Sequence, residues 1–150
     1  MKITVWGGSG FLGSHVSDAL VKQGHTVTIA DKYESSWIVK NQNMLQGNVL
    51  NKDDVFNSMS SADVVFNFSG IADIHEADLN PIKSAEINIL GNINLLNACV
   101  KQNVKRYIFA SSLYVYSRSG GFYRCSKQAC ENYIDEFHRQ RGLNYTILRF

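Results

Sequence analysis

Very little in this chain points to a polyanion, a bilayer or a metal. Its 150 residues hold no run of basic side chains, and Lys and Arg outnumber Asp and Glu only by 15 to 13. A balance this even lacks the electrostatic footprint of a nucleic-acid binder. No apolar stretch approaches the roughly 20 residues that a helix needs to cross a bilayer, and the first residues read as a core strand rather than a leader. Cys99, Cys125 and Cys130 are an odd number without metal or redox spacing, as expected of reduced thiols in a cytoplasmic protein. His15, His25, His75 and His138 have no second ligand at a suitable spacing, so no metal site is expected. There is a single proline, and no linker, repeat or low-complexity tract. The length suits one domain with a full core.

What the chain does have is concentrated in residues 2 to 31. Lys2–Trp6 is short, apolar and rich in β-branched residues, the signature of a buried parallel strand. Gly7-Gly8-Ser9-Gly10-Phe11-Leu12-Gly13 must then turn the backbone sharply into a helix. That helix runs from about Phe11 to Gln23, with Leu12, Val16, Ala19 and Leu20 on one face, and Gly24 ends it. His25–Ala30 alternates as a second strand, closed by Asp31.

A dinucleotide needs this arrangement. Glycines admit the main chain to the pyrophosphate, and the free N–H groups of the helix start meet its charge. An acid at the end of the second strand can accept both ribose hydroxyls. Two registers fit, Gly8-x-Gly10-x-x-Gly13 and Gly7-x-x-Gly10-x-x-Gly13, with Asp31 eighteen residues after Gly13. Asp31 would repel a 2′-phosphate and so favours NAD over NADP, a preference that Lys32 moderates.

Beyond Asp31, Lys32–Asn43 reads as loop and Met44–Gly47 as a third strand, followed by a helix over Lys52–Ser58. Asp63–Phe68 is a fourth strand that ends in Ser69-Gly70. After a loop, Asn80 as cap and Pro81 at the first position start a long helix to about Gln102. Arg106–Ala110 is the fifth strand, a second long helix spans about Tyr123–Arg141, and Asn144–Phe150 is the sixth strand. This alternation predicts an α/β fold, a Rossmann-type doubly wound parallel sheet of order 3-2-1-4-5-6 with helices on both faces. Ligands then bind at the carboxyl ends of the strands, where the order reverses between strands one and four.

Two features at those ends carry chemistry. Tyr123 and Lys127 are four apart on a helix, so their side chains share one face. An ammonium beside a phenol stabilises the phenolate and is expected to lower its pKa, making the tyrosine a proton acceptor nearer neutral pH. Ser111-Ser112 closes strand five and offers a hydroxyl to the same crevice.

The glycine motif, Asp31, Asn88 in Asn88-Ile-Leu-Gly-Asn, Ser112 in Ile108-Phe-Ala-Ser-Ser-Leu-Tyr-Val-Tyr, and Tyr123-x-x-x-Lys127 occur in one order. Together they resemble an extended short-chain dehydrogenase/reductase, of the NAD-dependent epimerase/dehydratase family acting on nucleotide sugars. The resemblance covers essentially the whole chain. It implies Tyr123 as general acid/base, and Lys127 as the residue that bonds the nicotinamide ribose and tunes the tyrosine. Ser112 would hold the substrate hydroxyl or carbonyl, with Ser111 as its neighbour in the active-site loop. Gly7, Gly10, Phe11 and Leu12 would face the pyrophosphate, with Gly13 completing the motif and Asp31, beside Lys32, at the adenosine ribose. Asn48-Val49 stands where the family usually has an acid bonding the adenine amino group, and an asparagine oxygen can still accept there. Phe68, Ser69 and Gly70 would lie along the cofactor, and Asn88 would support the loops after strands four and five. The resemblance also implies a homodimer through the two long helices.

Three departures qualify that picture. Tyr123 follows Ser112 by only eleven positions, fewer than is usual in the family. Leu113-Tyr114 stands where 4,6-dehydratases carry an Asp-Glu pair, which disfavours dehydration and leaves epimerisation or oxidoreduction. The substrate-gripping C-terminal part has no counterpart, and the sequence stops at the last residue of a strand, so a longer product is expected. The expected function is an NAD-dependent epimerase or oxidoreductase of a nucleotide sugar, these residues being its NAD-binding domain. Two alternatives stay open: a non-catalytic NAD(P)-binding sensor or interaction protein, and a reductase of a non-sugar carbonyl.

Overall fold

A computed structural model describes every residue from Met1 to Phe150. Six strands form one sheet in the order β3-β2-β1-β4-β5-β6, each paired parallel to its neighbour. The strands are β1 Lys2–Trp6, β2 Thr26–Asp31, β3 Gln42–Gln46, β4 Val64–Asn67, β5 Arg106–Ser111 and β6 Tyr145–Arg149. Between them lie α1 Phe11–Lys22, α2 Lys52–Ser58, α3 Ile74–Leu79, α4 Pro81–Ser84, α5 Gly91–Lys101 and α6 Gly121–Arg141. The predicted class and strand order are those observed.

Side-chain alternation along the strands builds two cores. Ile3 and Val5 of β1, with Val27 and Ile29 of β2, pack against Leu20 and Val21 of α1. Trp6, Val65, Tyr107 and Phe109 face the other way, onto Leu95, Leu96 and Cys99 of α5 and Cys130 and Ile134 of α6. The second core also contains polar groups. Asn67 Nδ2 donates to the Tyr107 hydroxyl (2.8 Å), which donates to Asn92 Oδ1 (2.7 Å), so the end of β4 is tied to β5 and α5.

Four elements differ from the sequence reading, each for a local reason. Strand β3 begins at Gln42, not Met44, because the buried Gln42 amide is satisfied by Asp18 Oδ1 (2.8 Å) and the Val39 N–H (3.1 Å). The loop expected after Gly70 contains α3, whose Asp73 carboxylate accepts from Glu76 N–H at 2.7 Å; His75 therefore lies on a helix. The long helix starting at Pro81 is not uniform, since Ala85–Leu90 widens into a π turn, and Asn80 makes no side-chain cap there. Helix α6 starts two residues before Tyr123, at Gly121.

Candidate active site

The carboxyl ends of β1, β2 and β4 open on a crevice of about 600 Å³. Its floor is the turn between β1 and α1. Gly7 has φ +76°, and a Cβ there would lie 2.5 Å from the Phe68 carbonyl carbon, while one on Gly13 would lie 2.1 Å from the Gly7 oxygen. The two backbones therefore meet at a distance only glycine allows. Gly10 gives α1 no side-chain cap, so the N–H groups of its first turn have no side-chain acceptor. A bare helix start over an open crevice suits a pyrophosphate.

Of the expected cofactor residues, Gly7, Gly10, Asp31, Lys32, Asn48, Val49, Phe68, Ser69 and Gly70 line this crevice. Phe11, Leu12 and Gly13 do not line it: Phe11 and Leu12 are exposed and Gly13 is buried under the turn. The Asp31 carboxylate accepts one N–H at each oxygen, from Ser9 (3.1 Å) and Tyr33 (3.0 Å), which fixes its plane and leaves each oxygen able to accept again. Asn48 is less free than the sequence suggested, because its Oδ1 already accepts the Leu50 N–H at 3.0 Å.

The crevice also uses residues the sequence reading missed, among them Tyr33, Leu50, Ile71, Glu76, Lys83 and Glu86. Their signal is topological. They follow β2, β3 and β4, whose carboxyl ends border the point where the strand order reverses. Glu76 and Lys83 pair across the rim at 3.2 Å.

Asn88 connects this crevice to α6. Its Oδ1 accepts the Ile71 N–H (2.7 Å), and its Nδ2 donates to the Ile71 carbonyl (3.0 Å) and to Ser126 Oγ (2.9 Å). Ser126 in turn donates to the Tyr123 carbonyl at 2.7 Å. Asn88 sits in the π turn, and the Cys130 thiol donates to its carbonyl at 3.1 Å.

Ser112, Tyr123 and Lys127 converge at the end of β5. The Lys127 ammonium is buried, donates to the Ala110 carbonyl at 2.8 Å, and faces the rings of Phe109 (4.7 Å) and Tyr123 (5.6 Å). Burial pulls its pKa down from 10.5 to about 8. Two of its three N–H groups have no protein partner. The Tyr123 phenol behaves contrary to expectation. Burial raises its pKa above the ordinary tyrosine value, and the Ser112 hydroxyl beside it acts in the opposite direction. The ammonium is aimed at the Ala110 carbonyl. Ser112 is half of a loop brace, its Oγ lying 3.4 Å from both the Phe150 carbonyl and the Tyr114 N–H. Ser111 points away, into the Glu131 carboxylate, whose other partner is Arg149.

This arrangement offers a phenol, a hydroxyl and an ammonium at the end of β5, linked through Asn88 to the glycine-floored crevice. The chain is similar to known proteins in sequence and in fold. A bifunctional UDP-glucose 4-epimerase and UDP-xylose 4-epimerase from Pisum sativum is 34% identical over 133 residues, covering 78% of this chain and 38% of the relative. The structure of UDP-glucose 4-epimerase with UDP-glucose from Thermotoga maritima superposes at a TM-score of 0.92 with 28% identity, covering 99% of this chain and 55% of that one. The Thermus thermophilus UDP-glucose 4-epimerase in complex with NAD superposes at 0.90 with 26% identity, covering 99% and 54%. The chain thus spans about half the length of these proteins, or less. With the model of the NAD-dependent epimerase/dehydratase family matching residues 3–150, the chain belongs to that family.

Proposed function

We propose that this chain is the NAD-holding part of an enzyme that epimerises, or oxidises and reduces, a UDP-sugar. The observation that carries the reading is the meeting of Ser112, Tyr123 and Lys127 at the end of β5, joined through Asn88 to the crevice floored by Gly7 and Gly10. The N–H groups of α1 and the glycine backbone hold the pyrophosphate, and Asp31 holds the adenosine ribose. Lys127 uses its free donors to place the nicotinamide ribose. NAD, when bound, supplies the hydride acceptor. Tyr123 takes the proton from the sugar hydroxyl that is oxidised and returns it on reduction, and Ser112 donates to the oxygen as it becomes a carbonyl.

Replacing Tyr123 by Phe is expected to lower turnover of UDP-glucose by about a thousandfold, with NAD affinity within about twofold of wild type. Wild-type turnover in that variant would refute the role. The same reading includes a homodimer built on the helix from Pro81 to Lys101 and on α6, which leave Leu90, Phe122 and Tyr133 exposed. Light scattering at micromolar concentration is expected to give twice the chain mass, and a strictly monomeric species would remove the dimer.

A further inference from the structure

Helix α6 carries the phenol in its first turn, yet its own sequence does not cap it. Gly120, the residue before it, and Gly121, its first, are both left-handed, with φ +97° and +48°, and no side chain of the preceding link accepts from its first N–H groups. The short link from Ser112 is instead folded onto the side of α6. Arg124 Nη1 donates to the Ser117 carbonyl (3.0 Å), and Gln128 Nε2 donates to the Val115 carbonyl (2.9 Å).

The missing acceptor comes from α3, 44 residues earlier in the chain. The Phe122 N–H donates to Asp78 Oδ1 at 2.9 Å. The fit is close: a Cβ on Gly121 would lie 2.1 Å from that oxygen and 2.6 Å from the other. The carboxylate fills the space of a side chain at 121, with its charge at the positive end of a 21-residue helix. One residue further on, the Tyr123 ring meets Tyr114 edge to face, centroids 6.5 Å apart, and Gly120 is pressed against the same Tyr114 ring. Helix α3 also lends Glu76 to the crevice wall. One short helix therefore touches both the cofactor crevice and the start of the helix that bears the phenol.

We propose that Asp78 is a positioning residue: by starting α6 at Phe122, it sets where the Tyr123 phenol stands against Ser112 and Tyr114. The inference rests on the reading of Tyr123 as the acid/base, and it assigns to Asp78 a task created by the shortened link.

The test follows Tyr123 itself by NMR of tyrosine Cζ in this chain, with Tyr123→Phe identifying the resonance. In Asp78→Ala the titration midpoint should move down, toward that of an exposed tyrosine, because the burial that raises it is relaxed. Asp78→Asn keeps the acceptor oxygen and should titrate as wild type. Gly121→Ala pushes the carboxylate off Phe122 and should reproduce Asp78→Ala, replacing it if that variant does not fold. In the enzyme, turnover of UDP-glucose should fall about tenfold in Asp78→Ala, with KM unchanged. A wild-type midpoint in Asp78→Ala and Gly121→Ala, or an Asn variant that behaves like Ala, overturns the proposal. Full turnover in Tyr123→Phe would overturn the acid/base reading and leave the titration result standing.

Discussion

A lysine buried without a carboxylate partner is costly to charge, and Lys127 is such a residue. Its surroundings are a carbonyl and two aromatic faces, which orient the ammonium but do not replace its water. With a folded pKa of about 8 against an ordinary 10.5, the sign of the pH dependence follows. Below about pH 8 the side chain is charged in both states, and the folded state bears the penalty. Between the two values the unfolded chain keeps a proton that the folded chain has released, so stability rises with pH. The buried thiols of Cys99 and Cys130, held up by desolvation, work in the opposite direction above pH 9. The comparison with Lys127→Met cancels the contribution of Cys99, and Cys130, whose thiol the ammonium holds down, is replaced by Ala in both proteins compared. Lysine form minus methionine form, measured by urea unfolding, should grow by about 3 kcal/mol between pH 7 and pH 10.5. A difference that stays flat over that range would show that the ammonium is solvated. At neutral pH the charged lysine is thus held at a cost in stability.

At the scale of elements, the sequence was most legible where local chemistry and fold agree. Gly7 and Gly13 announce a close backbone approach because no other residue permits one, and Gly24 and Gly142 mark helix ends through left-handed backbones. The spacing of Tyr123 and Lys127 placed both on one face of α6, and they do share it. The direction of the phenol's pKa was not legible. It depends first on how deeply the fold buries the ring, which the residues around Tyr123 in the sequence do not state. The π turn at Ala85–Leu90 was equally hidden. Its side chains keep an apolar helical pattern, and the widening shows only in what it achieves: Asn88 reaches both Ile71 and Ser126. Asp78 had no local signal either, since the helix it caps begins 43 positions later in the sequence. Contacts made across elements escape a reading built on periodicity and caps.

Across the whole molecule, protection should decline from the middle of the sheet to the β6 edge. Strand β1 has neighbours on both sides and four of its five residues buried. Strand β6 pairs only with β5 and buries none of its residues fully. Yet this edge braces the site. The Phe150 carbonyl accepts the Leu113 N–H at 2.8 Å and lies 3.4 Å from Ser112 Oγ, and Arg149 clamps Glu131, the acceptor of Ser111. The loop holding the Ser112 hydroxyl therefore depends on the strand least secured by burial. Native-state hydrogen exchange reads this directly, because amides open with the unit they belong to. The β1 amides should exchange at least about a hundredfold more slowly than those of β6, and the Leu113 amide should follow β6 rather than β5. Arg149→Ala should then speed Leu113 exchange by about tenfold while leaving β1 unchanged. A Leu113 amide as slow as those of β1 would mean that the loop is held by β5 alone.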